Sequence, residues 1–207
     1  NRRDQLQDGM TPPPTSIDGT EITGATIDGQ DVEEITIDGE VVFSAGPGVQ
    51  FIAYGSTDNN VYVHDVPGFG LNTTLTQASN NVNSIQFTPD GSLIGYASRN
   101  GPVYIHDVPG FGLNTTLTQS NGVTNVVAFS SDGSLVAYST SNGNVFIHDV
   151  PGFGLNTTLT QTSDSASNLD FSGDGQFLCY SGTTDQTVYI HNLPDFSLNT
   201  TLTAATD

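Results

Sequence analysis

The sequence HDVPGFGLNTTLT occupies residues 64–76 and recurs unchanged at residues 106–118 and 148–160. It returns with substitutions at residues 191–203. The histidines that begin the four copies therefore stand 42, 42 and 43 residues apart. A period of this length is typical of solenoids, propellers and other arrays of one supersecondary unit. The repeat thus predicts the architecture of the chain before any single residue does.

Each repeat contains four runs of alternating apolar residues that are separated by turn dipeptides. In the second repeat the turns are Asp90-Gly91, Asn100-Gly101 and Pro109-Gly110. No run has the periodicity of a helix, and the lengths are those of strands. Four short strands, repeated four times, predict an all-β protein, a four-bladed β-propeller. In the first repeat Val41-Val42-Phe43 supplies the first strand, and an insertion occupies residues 45–48.

Three segments of the second repeat resemble strands a, c and d of a WD40-type repeat: FTPDGSL at 87–93, VYIHDV at 103–108 and LNTTL at 113–117. The resemblance implies a WD40-like β-propeller. The family's Trp-Asp pair is replaced by His-Asp or His-Asn, and no Gly-His dipeptide precedes strand a. We therefore expect the family's internal hydrogen-bonded tetrad to be absent. Seven blades are common in that family, so four make either a closed disc or an arc completed by neighbours. We expect closure within the chain, because open ends would leave blade edges exposed.

The domain organisation predicted from these patterns has three parts. Residues 1–16 form an extended, proline-containing arm, and residues 17–40 form a β-hairpin-rich anchor or oligomerisation segment. Residues 41–207 form the propeller, with blades at about 41–80, 81–121, 122–164 and 165–207. The middle segment carries Ile-Asp-Gly three times at ten-residue spacing, and Asp-Gly favours tight hairpins. It holds too few large apolar side chains to fold alone, so it must pack either on the following domain or on copies of itself. We expect a homo-oligomer, with a trimer favoured.

The charge of the chain is strongly acidic, with three Lys+Arg against 22 Asp+Glu and a formal net charge of −19. Such a chain repels nucleic acid phosphates and anionic membrane surfaces, so we expect no nucleic-acid partner and no membrane insertion. A folded protein with this charge repels itself unless ions screen it, and the Debye length falls to about 3 Å at 1 M salt. The composition therefore predicts a halophilic protein.

The segment at residues 16–44 resembles Ile-Asp-Gly-rich segments in structural proteins of viruses that infect haloarchaea, particularly tail fibre and baseplate components. This resemblance implies a virion structural protein. It agrees with the acidic composition, which is an independent feature of the sequence.

The repeated histidines raise the question of a metal site. Strand c lies two strands from the innermost strand of a blade, and strands are about 4.8 Å apart. Histidines of opposite blades would lie on the order of 20 Å apart, whereas zinc–nitrogen bonds are about 2 Å. We therefore expect the four to replace Trp in packing between blades, and we expect no metal, no cofactor and no catalytic residue. They are His64, His106, His148 and His191.

Further repeated residues carry weaker expectations. Asp90, Asp132 and Asp174 read as hairpin turns rather than as calcium ligands, because calcium needs six or more oxygen ligands. Cys179 lies in an apolar strand pattern and is expected in the core. The candidate partner-contact residues are the aromatics of the c–d turns, which alternatively plug the blade ends: Phe69, Phe111, Phe153 and Phe196. The candidate N-glycosylation sites begin each Asn-Thr-Thr on the outermost strand, where a Thr-rich edge strand is the alternative: Asn72, Asn114, Asn156 and Asn199.

These observations predict a non-enzymatic virion structural protein of a haloarchaeal virus. It would be a tail-fibre, baseplate or capsid spike component at the virion surface, bound to other virion proteins through residues 1–40. Its propeller would face a host cell-surface glycoprotein or glycan, and repeated weak sites would give avidity. The alternatives are a cellular haloarchaeal surface or scaffolding module, and a carbohydrate-binding or hydrolytic propeller. An enzyme would need a unique cluster of polar residues, and the repeats show none.

Overall fold

The computed structural model describes residues 16–17, 20–23, 35–37, 40–44, 50–163 and 165–203, the first four of these ranges as backbone only. Most of the expected N-terminal arm, at residues 1–15, lies outside the described residues. The Ile27-Asp28-Gly29 turn and the insertion at 45–48 also lie outside them.

The described residues form β-strands and no helix, as the sequence predicts. Four strands precede the regular repeats: β1 (Ser16–Ile17), β2 (Thr20–Thr23), β3 (Ile35–Ile37) and β4 (Glu40–Ser44). The first and second repeats give β5 (Phe51–Gly55), β6 (Val61–Asp65), β7 (Leu71–Leu75), β8 (Val82–Phe87), β9 (Leu93–Ser98), β10 (Val103–Asp107) and β11 (Leu113–Leu117). The third and fourth give β12 (Thr124–Phe129), β13 (Leu135–Thr140), β14 (Val145–Asp149), β15 (Leu155–Leu159), β16 (Ala166–Phe171), β17 (Phe177–Gly182), β18 (Thr187–Asn192) and β19 (Leu198–Thr203).

The strands group into four antiparallel blades of four strands each. Blade 1 is β4–β7, blade 2 is β8–β11, blade 3 is β12–β15 and blade 4 is β16–β19. Neighbours in sequence pair throughout, so each blade is a meander with strands a, b, c and d in order. Strands β1–β3 pair with one another and extend the sheet of blade 1 through the β3–β4 pairing. In this segment Ile17 pairs with Thr20 and Ile37 pairs with Glu40 across antiparallel strands.

Successive blades stack face to face through apolar side chains. Each blade has two faces, which we call the front face and the back face. In blade 2 the front face carries Ala97, Val103, Ile105 and Leu117. The front face of blade 2 packs on the back face of blade 3, where Tyr138 is fully buried. The same front-to-back contact joins blade 1 to blade 2 and blade 3 to blade 4. The innermost strands β4, β8, β12 and β16 are neighbours in that order.

Hydrogen bonds cross each of these interfaces at equivalent places. The back-face tyrosine of one blade donates to the glutamine that follows strand d of the preceding blade. The oxygen–oxygen distances are 3.1 Å for Tyr96 and Gln77, 3.0 Å for Tyr138 and Gln119, and 2.7 Å for Tyr180 and Gln161. Repetition of the sequence thus repeats the interface as well as the blade.

The front face of blade 4 differs from the other three. The last leucine of strand d is 4% exposed in blade 1, 3% in blade 2 and 5% in blade 3, but Leu202 of blade 4 is 55% exposed. The described residues contain three inter-blade clusters, not the four that a closed ring of four blades requires. The expectation of closure within the chain therefore does not hold for the described residues, which form an arc of four blades.

Candidate functional site

The turns between strands a and b and those between strands c and d lie at the same end of every blade, because successive strands run in opposite directions. A backbone hydrogen bond of 2.8 Å ties the two turns together in each blade. We call this end of the four blades the turn edge. The amide donors are Val66, Val108, Val150 and Leu193, and the carbonyl acceptors are Gln50, Ser92, Ser134 and Gln176.

The a–b turns of blades 2, 3 and 4 are each organised by an aspartate. In blade 3, Asp132 Oδ1 accepts hydrogen bonds from the Ser130 hydroxyl at 2.6 Å, the Ser134 amide at 3.0 Å and the Ser134 hydroxyl at 2.8 Å. These donors lower the pKa of Asp132 to about 2, the Ser130 hydroxyl contributing most. Gly133 has a φ of +71°, which a glycine adopts without steric cost. Each aspartate of these turns is thus engaged by its own hairpin, as the hairpin interpretation expects.

The c–d turns reverse the chain through a tight loop. In blade 2 the Phe111 amide donates to the Asp107 carbonyl at 2.7 Å, and the Asp107 amide donates to the Gly112 carbonyl at 3.0 Å. The Val108–Pro109 peptide bond is cis, and Phe111 has a φ of +52°. The equivalent positions of the other three blades share these features. Positive φ is uncommon for a residue with a side chain, so the ring must compensate for it by packing.

The turn phenylalanines provide that packing. Phe111 is buried against Phe51 of blade 1 in an edge-to-face contact, with ring centroids 5.0 Å apart. Phe153 and Phe196 are half-buried and pack on the next two inter-blade clusters. Phe69 is half-buried as well. Phe111, Phe153 and Phe196 therefore plug blade ends, which was the alternative left open by the sequence.

The repeated histidines are structural groups within their own blades. The Nδ1 atom of each lies 2.8–3.1 Å from the carbonyl oxygen of the turn phenylalanine five residues later. Because a carbonyl can only accept, Nδ1 carries the proton and Nε2 is left as an acceptor. Each ring also stacks on a strand-b tyrosine at 5.6–5.7 Å between centroids. The hydrogen bond and the ring stack of each histidine thus lie within its own blade, and the expected packing between blades in place of Trp stays a prediction.

Burial affects the titration of two of these rings. It lowers the pKa of His106 and His148, and the acceptor carbonyls of Phe111 and Phe153 offset this only in part. Nε2 of His64, His148 and His191 is buried and has no hydrogen-bond partner among the described residues. Within the same residues, no group of three His, Cys, Asp or Glu side chains is placed to hold a metal ion.

The exposed apolar residues of the turn edge are four leucines that the sequence reasoning did not single out. They begin strand d in each blade: Leu71, Leu113, Leu155 and Leu198, which are 56%, 48%, 48% and 46% exposed. Strict alternation would place Leu71 on the same face as the buried Leu75. A β-bulge between Val63 and His64 shifts the register, so Leu71 pairs with His64 instead. The same bulge occurs in every blade.

The candidate glycosylation sites lie beside these leucines. The side-chain amides of Asn72, Asn114 and Asn156 are exposed and donate to Asp65, Asp107 and Asp149 at 2.7–2.8 Å. Asn199 donates to Asn192 at 2.7 Å. Glycosylation would modify the same nitrogen that makes this bond, and it stays a prediction. The three paired aspartates are exposed, so a carboxylate lies near the leucine of blades 1, 2 and 3, whereas Asn192 takes this place in blade 4.

Comparison of the sequence with models of known protein families finds one match, which covers two segments of the chain. The WD domain, G-beta repeat model, WD40, matches residues 112–149 and 154–192. Each match runs from strand d of one blade, or the turn before it, through strand c of the next. No curated protein matches the chain. The part of the chain that the structure describes contains no helix with the length and apolar character needed to cross a membrane. Two segments of the chain, in blades 2 to 4, therefore match the WD40 repeat, within an all-β, propeller-like domain.

Proposed function

We propose that this protein is a non-enzymatic binding module at the surface of a haloarchaeal virus particle, and that its turn edge attaches to the host envelope. The observation that carries the proposal is the set of four exposed leucines at equivalent positions of the turn edge. WD40 domains generally mediate protein–protein interactions, and the family match supports a binding role.

The repetition of the edge suits attachment to a surface. A single leucine contact is weak, whereas four linked contacts act together and gain avidity without any one being tight. A host surface layer built from one repeated glycoprotein presents the same feature many times. The partner that fits is thus a repetitive envelope protein with apolar patches or its glycan, engaged at several points at once.

The acidic charge sets the conditions for this binding. The carboxylates beside the leucines of blades 1, 2 and 3, together with the net charge of −19, repel an acidic envelope at low salt, and screening shortens that repulsion to about 3 Å at molar salt. Attachment should therefore require brine. The charge and the Ile-Asp-Gly segment at residues 16–44 support a haloarchaeal virus as the source, with residues 1–40 as the link to other virion proteins.

The absence of a unique polar cluster in the repeats supports a non-enzymatic role, because an active site does not need four equal copies. A cellular haloarchaeal scaffolding module is the second candidate, and the WD40 match supports it as well. Mass spectrometry of purified virus particles and of uninfected cells separates the two. The chain should occur in the particles and not in uninfected cells.

The binding role predicts the effect of removing the leucines. The variant Leu71→Ser, Leu113→Ser, Leu155→Ser, Leu198→Ser should bind haloarchaeal envelopes at least about tenfold more weakly than the unmodified chain in high salt, because avidity multiplies the four losses. Binding of the fluorescently labelled chains to isolated envelopes measures this. The matched control changes four exposed threonines to serine at the far end of the same strands: Thr76, Thr118, Thr160 and Thr203. Equal binding by the leucine variant and the control would contradict the proposed role of the edge.

A further inference from the structure

Asparagine followed by glycine occurs three times in the chain, at Asn100-Gly101, Asn121-Gly122 and Asn142-Gly143. Asparagine is a thermolabile residue, and before glycine the next backbone nitrogen can attack the carbonyl carbon of its side chain. Glycine has no Cβ to obstruct that approach. A hydrogen bond that holds either reacting group elsewhere slows the reaction, because the two atoms must first come together. All three asparagines are exposed, so exposure of the side chain does not rank them.

The glycine amides of two of these pairs are fixed in the b–c hairpins of blades 2 and 3. The Gly101 amide donates to the Ser98 carbonyl at 3.0 Å, and the Gly143 amide donates to the Thr140 carbonyl at 3.1 Å. Both glycines are buried. Because an amide nitrogen attacks only after it loses its proton, a backbone hydrogen bond inside a buried turn protects these two pairs.

The asparagine side chains of the same two pairs are held as well. The Asn100 side-chain amide donates to the Ser79 hydroxyl, and the Asn142 side-chain carbonyl accepts from the Thr140 hydroxyl at 2.5 Å. Each side chain must break this hydrogen bond before its carbonyl carbon can turn towards the glycine nitrogen. Both reacting groups are therefore restrained in each of these hairpins.

The Asn121-Gly122 pair lacks these restraints. It lies in the linker at residues 118–123, between strand d of blade 2 and strand a of blade 3, and Gly122 is half-exposed. The Gly122 amide donates to the Ser120 hydroxyl at 3.2 Å instead of to a backbone carbonyl. The Asn121 side chain makes no hydrogen bond to any residue that the structure describes. The fold thus leaves one of three equal dipeptides free to react.

We propose that Asn121 is a site of spontaneous deamidation in the folded chain, with water as the only co-reactant. The Gly122 nitrogen loses its proton to solvent and bonds to Cγ of Asn121. The bond from Cγ to Nδ2 breaks, and Nδ2 takes up a proton and leaves as ammonia. Water then opens the cyclic succinimide. Addition of water at Cγ gives aspartate, whereas addition at the backbone carbonyl of the same residue gives isoaspartate, whose main chain runs through the side chain.

The product changes the junction between blades 2 and 3. Val123 is fixed in blade 3, because its amide donates to the Ser141 hydroxyl at 3.1 Å and its carbonyl accepts from the Ser141 amide at 2.8 Å. Isoaspartate lengthens the main chain close to this anchor, and both products add a carboxylate. The linker lies at the end of the blades opposite the turn edge, so the exposed leucines there are not altered.

Ageing of the purified chain at mildly alkaline pH and high salt tests the proposal. Mass spectrometry of chymotryptic peptides measures the conversion of Asn100, Asn121 and Asn142 in one sample. Asn121 should convert at least about tenfold faster than the other two, because each of those must first break two hydrogen bonds of its hairpin. Equal rates at the three sites of the folded chain would overturn the proposal.

The same chain aged in urea is the control, since unfolding removes the three environments and leaves the three dipeptides. Conversion should then proceed at similar rates at all three sites. An Asn121 that stays intact in the folded chain, while the unfolded chain converts it, would overturn the proposal as well.

Two variants identify the site by a second readout. Ammonia released from the folded chain should fall several-fold in Asn121→Ser and stay unchanged in the matched variant Asn142→Ser, which alters an equally exposed asparagine before glycine. A release that survives Asn121→Ser would place the reaction elsewhere and contradict the proposal. Circular dichroism confirms that both variants fold.

Discussion

At the scale of single residues, the histidine of strand c gives each blade a buried aromatic ring. Its Nδ1–H bond to the turn phenylalanine and its stack on a tyrosine satisfy the packing role of an aromatic residue. Protonation of His148 would place a hydrogen on its buried Nε2, and no group among the described residues is placed to accept a hydrogen bond from it. Protonation of the ring therefore costs more in the folded state than in the unfolded chain.

The pH dependence of stability follows from this difference. Burial lowers the pKa of His106 and His148, so below the unfolded pKa of about 6.5 the unfolded chain binds more protons than the folded one. The free energy of unfolding should therefore be constant between about pH 7 and pH 8 and fall as the pH drops from about 6.5 towards 5. Urea unfolding at constant high salt measures this. This pH range lies above the range in which the turn aspartates Asp90 and Asp132 titrate, because their pKa values are lowered from 3.8.

The control for this prediction is the double variant His106→Asn, His148→Asn. An asparagine side chain can still donate to the turn carbonyl but does not titrate. The variant should lose a substantial part of the decline between pH 6.5 and 5. A decline of unchanged size in the variant would show that other groups cause it.

At the scale of the element, each blade is a four-stranded meander, and in blades 2, 3 and 4 an aspartate holds the a–b hairpin. Asp132 accepts from two hydroxyls and one amide, and Asp90 has the same three partner types in blade 2. These hydrogen bonds satisfy amide and hydroxyl donors of the turn that have no partner in the strand pairing. The turn sequence thus sets the register of strands a and b, and the register sets which side chains reach each face.

Removal of one turn carboxylate should destabilise its blade measurably. Asp132→Ala should lower the free energy of unfolding by about 1 kcal/mol, since three hydrogen bonds to a partly solvated group are lost. Asp149→Ala in the same blade is the control. Its side chain is exposed and accepts from Asn156, so the change should stay within about 0.5 kcal/mol. Chemical denaturation of both variants checks the difference, and equal losses would refute the role given to the turn.

The sequence predicted the strands, the Asp-Gly turns and the blade, because repetition and period-2 alternation are local signals. It did not predict that Leu71 is exposed, because the bulge that turns it outward depends on the pairing of Val63 and His64 with strand d. It left open whether Phe111 faces a partner or the core, since that follows from packing across two blades. Cys179 read as a core residue because its strand is apolar, but burial there requires a neighbouring blade.

At the scale of the whole molecule, stability should be distributed over the blades and the interfaces between neighbours, as in other repeat arrays. The arc has three buried interfaces between blades, and no described blade covers the front face of blade 4. The last leucine of strand d lies on the front face of every blade. Leu117 and Leu202 occupy the same repeat position, in the same strand of the blade, and differ in whether another blade covers them. This pair isolates the effect of the interface from that of the sequence.

The most direct test of the arc is the pair Leu117→Ala and Leu202→Ala, unfolded with denaturant at a protein concentration where the chain is monomeric. Leu117→Ala should lower the free energy of unfolding by about 2–5 kcal/mol, as expected when a buried leucine leaves a cavity. Leu202→Ala should change it by no more than about 0.5 kcal/mol. Losses of equal size in the two variants would mean that blade 4 is covered within the monomer, and would contradict the open arc.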